Sequence, residues 1–146
     1  MVYAVDVGQA QLAWKLRQDP RVVVMEKTNA RELTPRHFPA SFSQADLVVI
    51  DCSFISLRKI LPAAVALLRP SGKILSLIKP QFEAGKREAD KGGGVIRDPA
   101  VHARVLEELR HFTVSELGFS WTGCIESPLL GPAGNKEFLA LIEKAR

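Results

Sequence analysis

The chain has 146 residues, is 47% hydrophobic and 25% charged, and carries a net charge of +4 with an isoelectric point near 9.3. These are the proportions of one soluble globular domain with room for a core, and the modest basic balance permits a nucleic-acid partner without demanding one. No apolar run approaches the ~18 residues of a membrane span, no basic and apolar leader opens the chain, and Cys52, Cys124 and the three histidines follow no metal spacing, so a cytoplasmic protein with free thiols and no metal is expected.

Val2–Asp6 is a short apolar run ending in an acid and reads as a buried strand. Gln9–Gln18 places Leu12, Ala13 and Leu16 at helical spacing until Asp19-Pro20 stops it. Arg21–Glu26 is β-branched and predicts a second strand. Thr28–Gln44, with its prolines and polar groups, predicts mostly loop. Ala45–Asp51 is the next strand, and a helix over about Leu57–Leu68 follows, with Leu61, Ala64, Val65 and Leu68 as its stripe and Pro62 confined to its first turn. Pro70-Ser71-Gly72 ends that helix and Lys73–Lys79 forms an apolar strand.

Gln81–Arg97 predicts a long polar loop around Gly92-Gly93-Gly94, and loops of this length inside a compact domain are often functional. Asp98-Pro99 opens a helix carrying Val101, Val105, Leu109 and Phe112, which Gly118 ends. Phe119–Ser127 and Lys136–Glu143 predict two final strands, antiparallel across a turn-rich link. The alternation argues for a mostly parallel α/β sheet with helices on both faces and an antiparallel edge at its C-terminal end. Trp14 and Trp121 are expected in the core.

In open α/β sheets the ligand crevice lies at the carboxyl ends of the strands. Asp6 ends one strand, where an acid can accept the ribose hydroxyls of a nucleotide cofactor, or else cap the next helix. Asn29 follows the second strand; its amide can read an adenine edge, or serve a turn. Asp51 ends an almost wholly apolar strand, several residues ahead of the next helix, which weakens a capping role. Lys79 ends another; partly desolvated there, it can accept a proton or orient an oxygen nucleophile, or simply reach to water. Glu137 precedes the last apolar run. Lys86, Arg87, Lys91 and Arg97 give the glycine-rich segment a basic character suited to a phosphate backbone, although a solvated loop has the same composition. Neither G-x-S-x-G, nor a phosphate-binding P-loop, nor G-x-G-x-x-G is present.

Tyr3–Gly8 (YAVDVG), Gln11–Leu16 (QLAWKL), Glu26–Arg31 (EKTNAR), Asp51–Leu57 (DCSFISL), Ile78–Glu83 (IKPQFE), Lys91–Pro99 (KGGGVIRDP) and Gly134–Leu139 (GNKEFL) resemble the TlyA family of FtsJ-like methyltransferases, often labelled haemolysins. The similarity spans essentially the whole chain. It implies a single domain over 1–146 with a Rossmann-like class I methyltransferase sheet, S-adenosylmethionine as cofactor, and 2′-O-ribose methylation of ribosomal RNA, free or in a ribosomal subunit. By the same resemblance Asp51, Lys79 and Glu137 are the last three members of a Lys-Asp-Lys-Glu tetrad. Asp6 with Val7 holds the cofactor ribose, Asn29 and Ala30 border the adenine, and Asp51 lies near the methionine part.

Family members carry a strand with a glycine-rich loop, the first tetrad lysine and an S4-type RNA-binding domain ahead of this region. The chain is therefore expected to begin after them, with the first strand of the sheet missing, a hole between the strands ending at Asp6 and Asp51, weak or no cofactor binding, and an activity that the fragment need not retain. Two other readings compete: an RNA-binding or inert fold without catalysis, and a membrane-active haemolysin, against which stands the lack of a spanning segment or basic amphipathic helix. The oligomeric state is left open, a homo-oligomer included.

Overall fold

A computed structural model describes residues 1–144. Two sheets form. In the first, β1 (Val2–Val5) lies parallel to β2 (Val22–Met25), in register from Val2↔Val22 to Val5↔Met25. In the second, β3 (Ala45–Ile50), β4 (Leu68–Ile78), β5 (Phe119–Glu126) and β6 (Phe138–Lys144) take the order β3-β4-β6-β5. β3 is parallel to β4, and β6 is antiparallel to both β4 and β5. The strands follow the β-branched and aliphatic runs, whose side chains pack well on a pleated surface. The antiparallel pairing of the last two strands is as expected; β6 enters the sheet interior and leaves β5 at the edge.

One face of the larger sheet holds the core. Ile50, Ile74, Ser76, Ile78, Ala140 and Ile142 alternate along their strands and are buried, as the two-residue period requires. Helices α2 (Leu57–Leu67) and α5 (Pro99–His111) add Leu57, Ile60, Leu61, Ala64, Val105 and Leu109 to the same cluster. Helices were expected on both faces, but on the opposite face Leu47 and Val49 are exposed and Leu75, Leu77, Leu139 and Leu141 only half-buried.

Other expectations are corrected. Gln9–Gln18 forms only the single-turn α1 (Trp14–Arg17), which buries none of its residues. Trp14 is consequently exposed, not core; Trp121, in β5, does pack against the core. Pro62 lies inside α2, beyond its first turn. The helix starts as early as Leu57 because Ser56 accepts from the Arg58 N–H and Glu83 from the Leu57 N–H. The segment 81–97, expected to lack secondary structure, contains α4 (Lys86–Lys91) and most of α3 (Pro80–Glu83). Asp98 caps α5 by accepting from the Ala100 N–H at 2.8 Å, with Pro99 at the first helical position. A π-turn, Phe112–Glu116, extends α5, and Gly118 at φ 69° leads out of it.

No backbone ladder joins the two sheets. Between them lies a cleft of about 780 Å³, lined by 1–5 of the first sheet, by 44–52 at β3, by Phe38 and Phe42, and by Ile60, Ala64 and Leu67 of α2. Consecutive residues of β1 and β3 reach it, so each strand turns its unpaired edge to the cleft. Tyr3 packs edge-on against both Phe38 and Phe42, with ring centroids 5.2 Å apart, and so joins β1 to the loop that leads into β3.

Candidate functional site

The carboxyl ends of β3 and β4 neighbour each other because the strands are parallel, with Ile50 opposite Ser76. Asp51 and Lys79 follow at those ends. Lys79 is 9% exposed, and its Nζ lies 2.7 Å from Asp51 Oδ1 and donates to Ser53 Oγ at 3.0 Å. Burying an ammonium costs free energy unless it is paired and hydrogen-bonded, and the loop after β3 supplies both partners. Asp51 itself is open to solvent.

The segment that follows Lys79 is anchored residue by residue. Gln81 Nε2 donates to Glu137 Oε1 at 3.3 Å. Phe82 packs against Phe54, centroids 5.0 Å apart and planes tilted by 48°. Glu83 accepts from the Ser56 hydroxyl at 2.6 Å and the Leu57 N–H at 2.7 Å. Burial pushes the Glu83 carboxyl up from its ordinary value, against the pull of those two hydrogen bonds. The loop 51–56 is thus fixed at one end by Lys79 and at the other by Glu83. At its tip Phe54 sits at φ 62° and is 91% exposed. A bulky residue at positive φ is strained, and here the strain accompanies an aromatic face offered to solvent beside Lys79.

Glu137 is 5% exposed, just before β6. It was expected alongside Asp51 and Lys79; its side-chain hydrogen bond goes to Gln81. Asn135, 3% exposed, accepts from the Ile96 N–H at 3.0 Å and donates to the carbonyls of Gly94 and Pro132 at 3.0 and 3.2 Å. It ties the glycine-rich segment to the approach to Glu137. Lys86, Arg87, Lys91 and Arg97 are all exposed on that segment and take part in no ion pair among the described residues.

The residues expected around a nucleotide are divided. Ala30 and Asp51 line the 780 Å³ cleft. Asp6 lies on a smaller hollow of about 160 Å³ with Gln11, Leu12 and Glu26. Its Oδ1 accepts from the Gly8 N–H at 2.7 Å, so it braces a turn and not a helix. Asn29 caps a 3₁₀ turn by accepting from the Arg31 N–H at 3.2 Å, leaving its amide N–H groups unengaged. Val7 is 74% exposed. Cys52 and Cys124 are free, half-buried thiols, and burial raises the pKa of both. Among the described residues no cluster suited to a metal ion occurs, and no helix is long and apolar enough to cross a membrane.

Sequence reasoning assigned no role to Ser53, Phe54, Gln81 or Glu83. Their partners lie 26 to 56 residues away or, for Phe54, in a contact with Phe82, and no local pattern records such pairings.

Comparison with known proteins supplies the context. The profile of the FtsJ-like methyltransferase family matches residues 1–144. The candidate rRNA methyltransferase YqxC of Bacillus subtilis is 52% identical over 137 residues, covering 94% of this chain and 47% of that protein. The 16S/23S rRNA (cytidine-2′-O)-methyltransferase TlyA of Mycobacterium tuberculosis is 51% identical over 138 residues, covering 94% of this chain and 49% of TlyA. The chain thus spans about half the length of these curated relatives. A solved hemolysin candidate from Streptococcus thermophilus superposes with a TM-score of 0.92 at 47% identity, over 99% of this chain and 51% of the other. An S-adenosylmethionine-dependent methyltransferase from Methanosarcina mazei, 16% identical with a TM-score of 0.58 over 98% of this chain and 81% of its own, shares the fold.

Proposed function

The chain belongs to the FtsJ-like methyltransferase family, and from that premise we propose that it carries the catalytic face of a 2′-O-ribose methyltransferase acting on ribosomal RNA. The observation that carries the reading is the buried Lys79, held by Asp51 and Ser53 at the carboxyl ends of β3 and β4. An amine so fixed has one N–H direction left for a ribose oxygen.

Residues of the kinds that hold S-adenosylmethionine are present, divided between the cleft, with Ala30 and Asp51, and the smaller hollow beside Asp6. The cleft is within the usual size of a ligand site, and its walls offer apolar surface with Ala30 at one side and Asp51 at the other. The second carboxylate oxygen of Asp6 and the free N–H groups of Asn29 would take the ribose hydroxyls and the adenine edge. When bound, the cofactor supplies an electrophilic methyl group. Lys79 positions the attacking ribose hydroxyl, and holding reactants in line accounts for much of the acceleration in such transfers. Asp51 and Ser53 fix the direction of the ammonium, Glu137 is the further carboxylate of the set, held by Gln81, and the hydroxyl proton passes to the Asp51 carboxylate. Phe54 offers a stacking face to an unstacked base, while Lys86, Arg87, Lys91 and Arg97 contact the phosphate backbone.

The test is transfer of a tritiated methyl group from S-adenosylmethionine to ribosomal RNA, with nuclease digestion to identify a 2′-O-methyl nucleotide, alongside calorimetric titration of the cofactor. On this reading the cofactor binds, weakly, and a labelled ribose is expected. Binding of RNA without cofactor binding or transfer would refute catalysis and favour a binding role.

A further inference from the structure

Glu137 and Gly131 are six positions apart and meet across the turn that precedes β6. A Cβ placed on Gly131 would come within 2.5 Å of the Glu137 carboxyl carbon and 3.1 Å of its Cγ, and would overlap Oε1. The backbone does not require glycine there: Gly131 has φ −73° and ψ −179°, an extended conformation open to any residue. The absence of a side chain is explained by space alone, and the space is filled by an acid that is 5% exposed. On its other side that acid has a single side-chain hydrogen bond, from Gln81. The Gly131 N–H, donating to the Asn135 carbonyl at 2.8 Å, keeps the turn closed over it.

We propose that Gly131 and Gln81 are positioning residues for the Glu137 carboxylate, Gly131 by leaving the room it occupies and Gln81 by fixing its orientation. The consequence for methyl transfer rests on the function proposed above; the consequence for geometry does not. The colliding atoms belong to the end of a flexible side chain, so Gly131→Ala displaces the carboxylate and leaves the fold standing.

The experiment compares the full chain with its Gly131→Ala, Glu137→Asp and Gly131→Ala/Glu137→Asp forms. Two readouts are taken: methyl transfer to ribosomal RNA, and the Gln81 side-chain amide resonances in a ¹H–¹⁵N spectrum. Gly131→Ala is expected to lower transfer at least about tenfold, to shift the Gln81 amide protons away from their carboxylate-bonded position, and to move the unfolding midpoint by less than about 3 °C. Aspartate is one methylene shorter: its carboxyl carbon takes the place of the Glu137 Cγ, 3.1 Å from the added Cβ where the glutamate carboxyl carbon stands at 2.5 Å, and its oxygens can turn away. In the Glu137→Asp background the alanine is therefore expected to cost less than about twofold, a non-additivity that general loosening does not produce. An unmoved Gln81 amide in Gly131→Ala, or an alanine penalty of the same size in both backgrounds, overturns the proposal. If no form transfers a methyl group but the Gln81 amide still shifts, the positioning stands and the assigned reaction fails.

Discussion

Lys79 and Asp51 form an ion pair of 2.7 Å in which only the cation is buried, the two side chains being 10% and 66% exposed. The lysine depends on the aspartate for compensation, while the aspartate could equally be solvated by water. Asp51→Asn should therefore destabilise the chain by about 1.5 kcal/mol, the low end for a hydrogen bond to a charged group, since Asp51 is open to solvent. Lys79→Met should change stability less. Both should reduce methyl transfer by about 10²-fold or more, the scale of a lost proton-handling group. Denaturant unfolding and a transfer assay check the pair; full activity in Lys79→Met would remove the lysine from the mechanism.

Glu83 makes stability depend on pH. Burial raises its folded-state pKa above the ordinary value of 4.5. Stability attached to such a group is complete below the unfolded value and is lost as pH rises through the folded one. Glu83→Gln retains an acceptor for the Leu57 N–H with no charge to desolvate, so its unfolding free energy should fall less from acid to neutral pH than that of the parent. Glu83→Ala removes the acceptor and should cost about 1 kcal/mol, as lost helix caps do. Urea titrations across that pH range decide the matter, and parallel curves for parent and Gln variant would contradict it.

Phe54 separates binding from folding. It is 91% exposed at φ 62°, so Phe54→Gly relieves backbone strain and forfeits only the contact with Phe82. Unfolding should be unchanged or slightly harder, while affinity for single-stranded RNA should weaken by about 1–3 kcal/mol, the worth of one stacked base. Fluorescence titration with a labelled oligonucleotide reads the second effect; unchanged affinity would rule out stacking at Phe54.

The unpaired cations of the glycine-rich segment should appear in the salt dependence of RNA binding. Each phosphate contact removed lowers the slope of log K against log salt by about 0.7–0.9. Replacing Lys86, Arg87, Lys91 and Arg97 together by alanine should flatten the slope by about 3, whereas the same change at Lys15 and Lys59, elsewhere on the surface, should not.

The strands and the two long helices were readable in the sequence because burial imposes a period on each: β-branched runs for β2 and β3, the Asp98-Pro99 start and Val105–Leu109 spacing for α5. The short helices were not. α4 (KREADK) has no buried residue and is tethered at Glu88 by Arg104 of α5, a pairing invisible to local pattern. Gln9–Gln18 showed the reverse, with helical spacing but no surface to bury it on, so only one turn forms. At the site, Asp51 and Lys79 were legible as charges ending apolar strands. The holding interactions of Ser53, Gln81 and Glu83 were not, since each spans at least 26 residues of chain.

The cleft between β1 and β3 has a consequence for cooperativity. A sheet transmits order through its ladder of backbone hydrogen bonds, and here the ladder stops on either side of the cleft. The β1–β2 pair shares no ladder with the remainder and continues into it through the chain 26–44, whose Phe38 and Phe42 pack on Tyr3. Such a unit opens without the global transition. Amide deuterium exchange at Tyr3–Val5 and Val23–Met25 should then run well ahead of that at Ile74–Ile78 and Ala140–Ile142. Asp6 would belong to a fast-opening half of the molecule and Lys79 to a slow one, with cofactor and catalytic residues meeting across a seam between two independently melting parts.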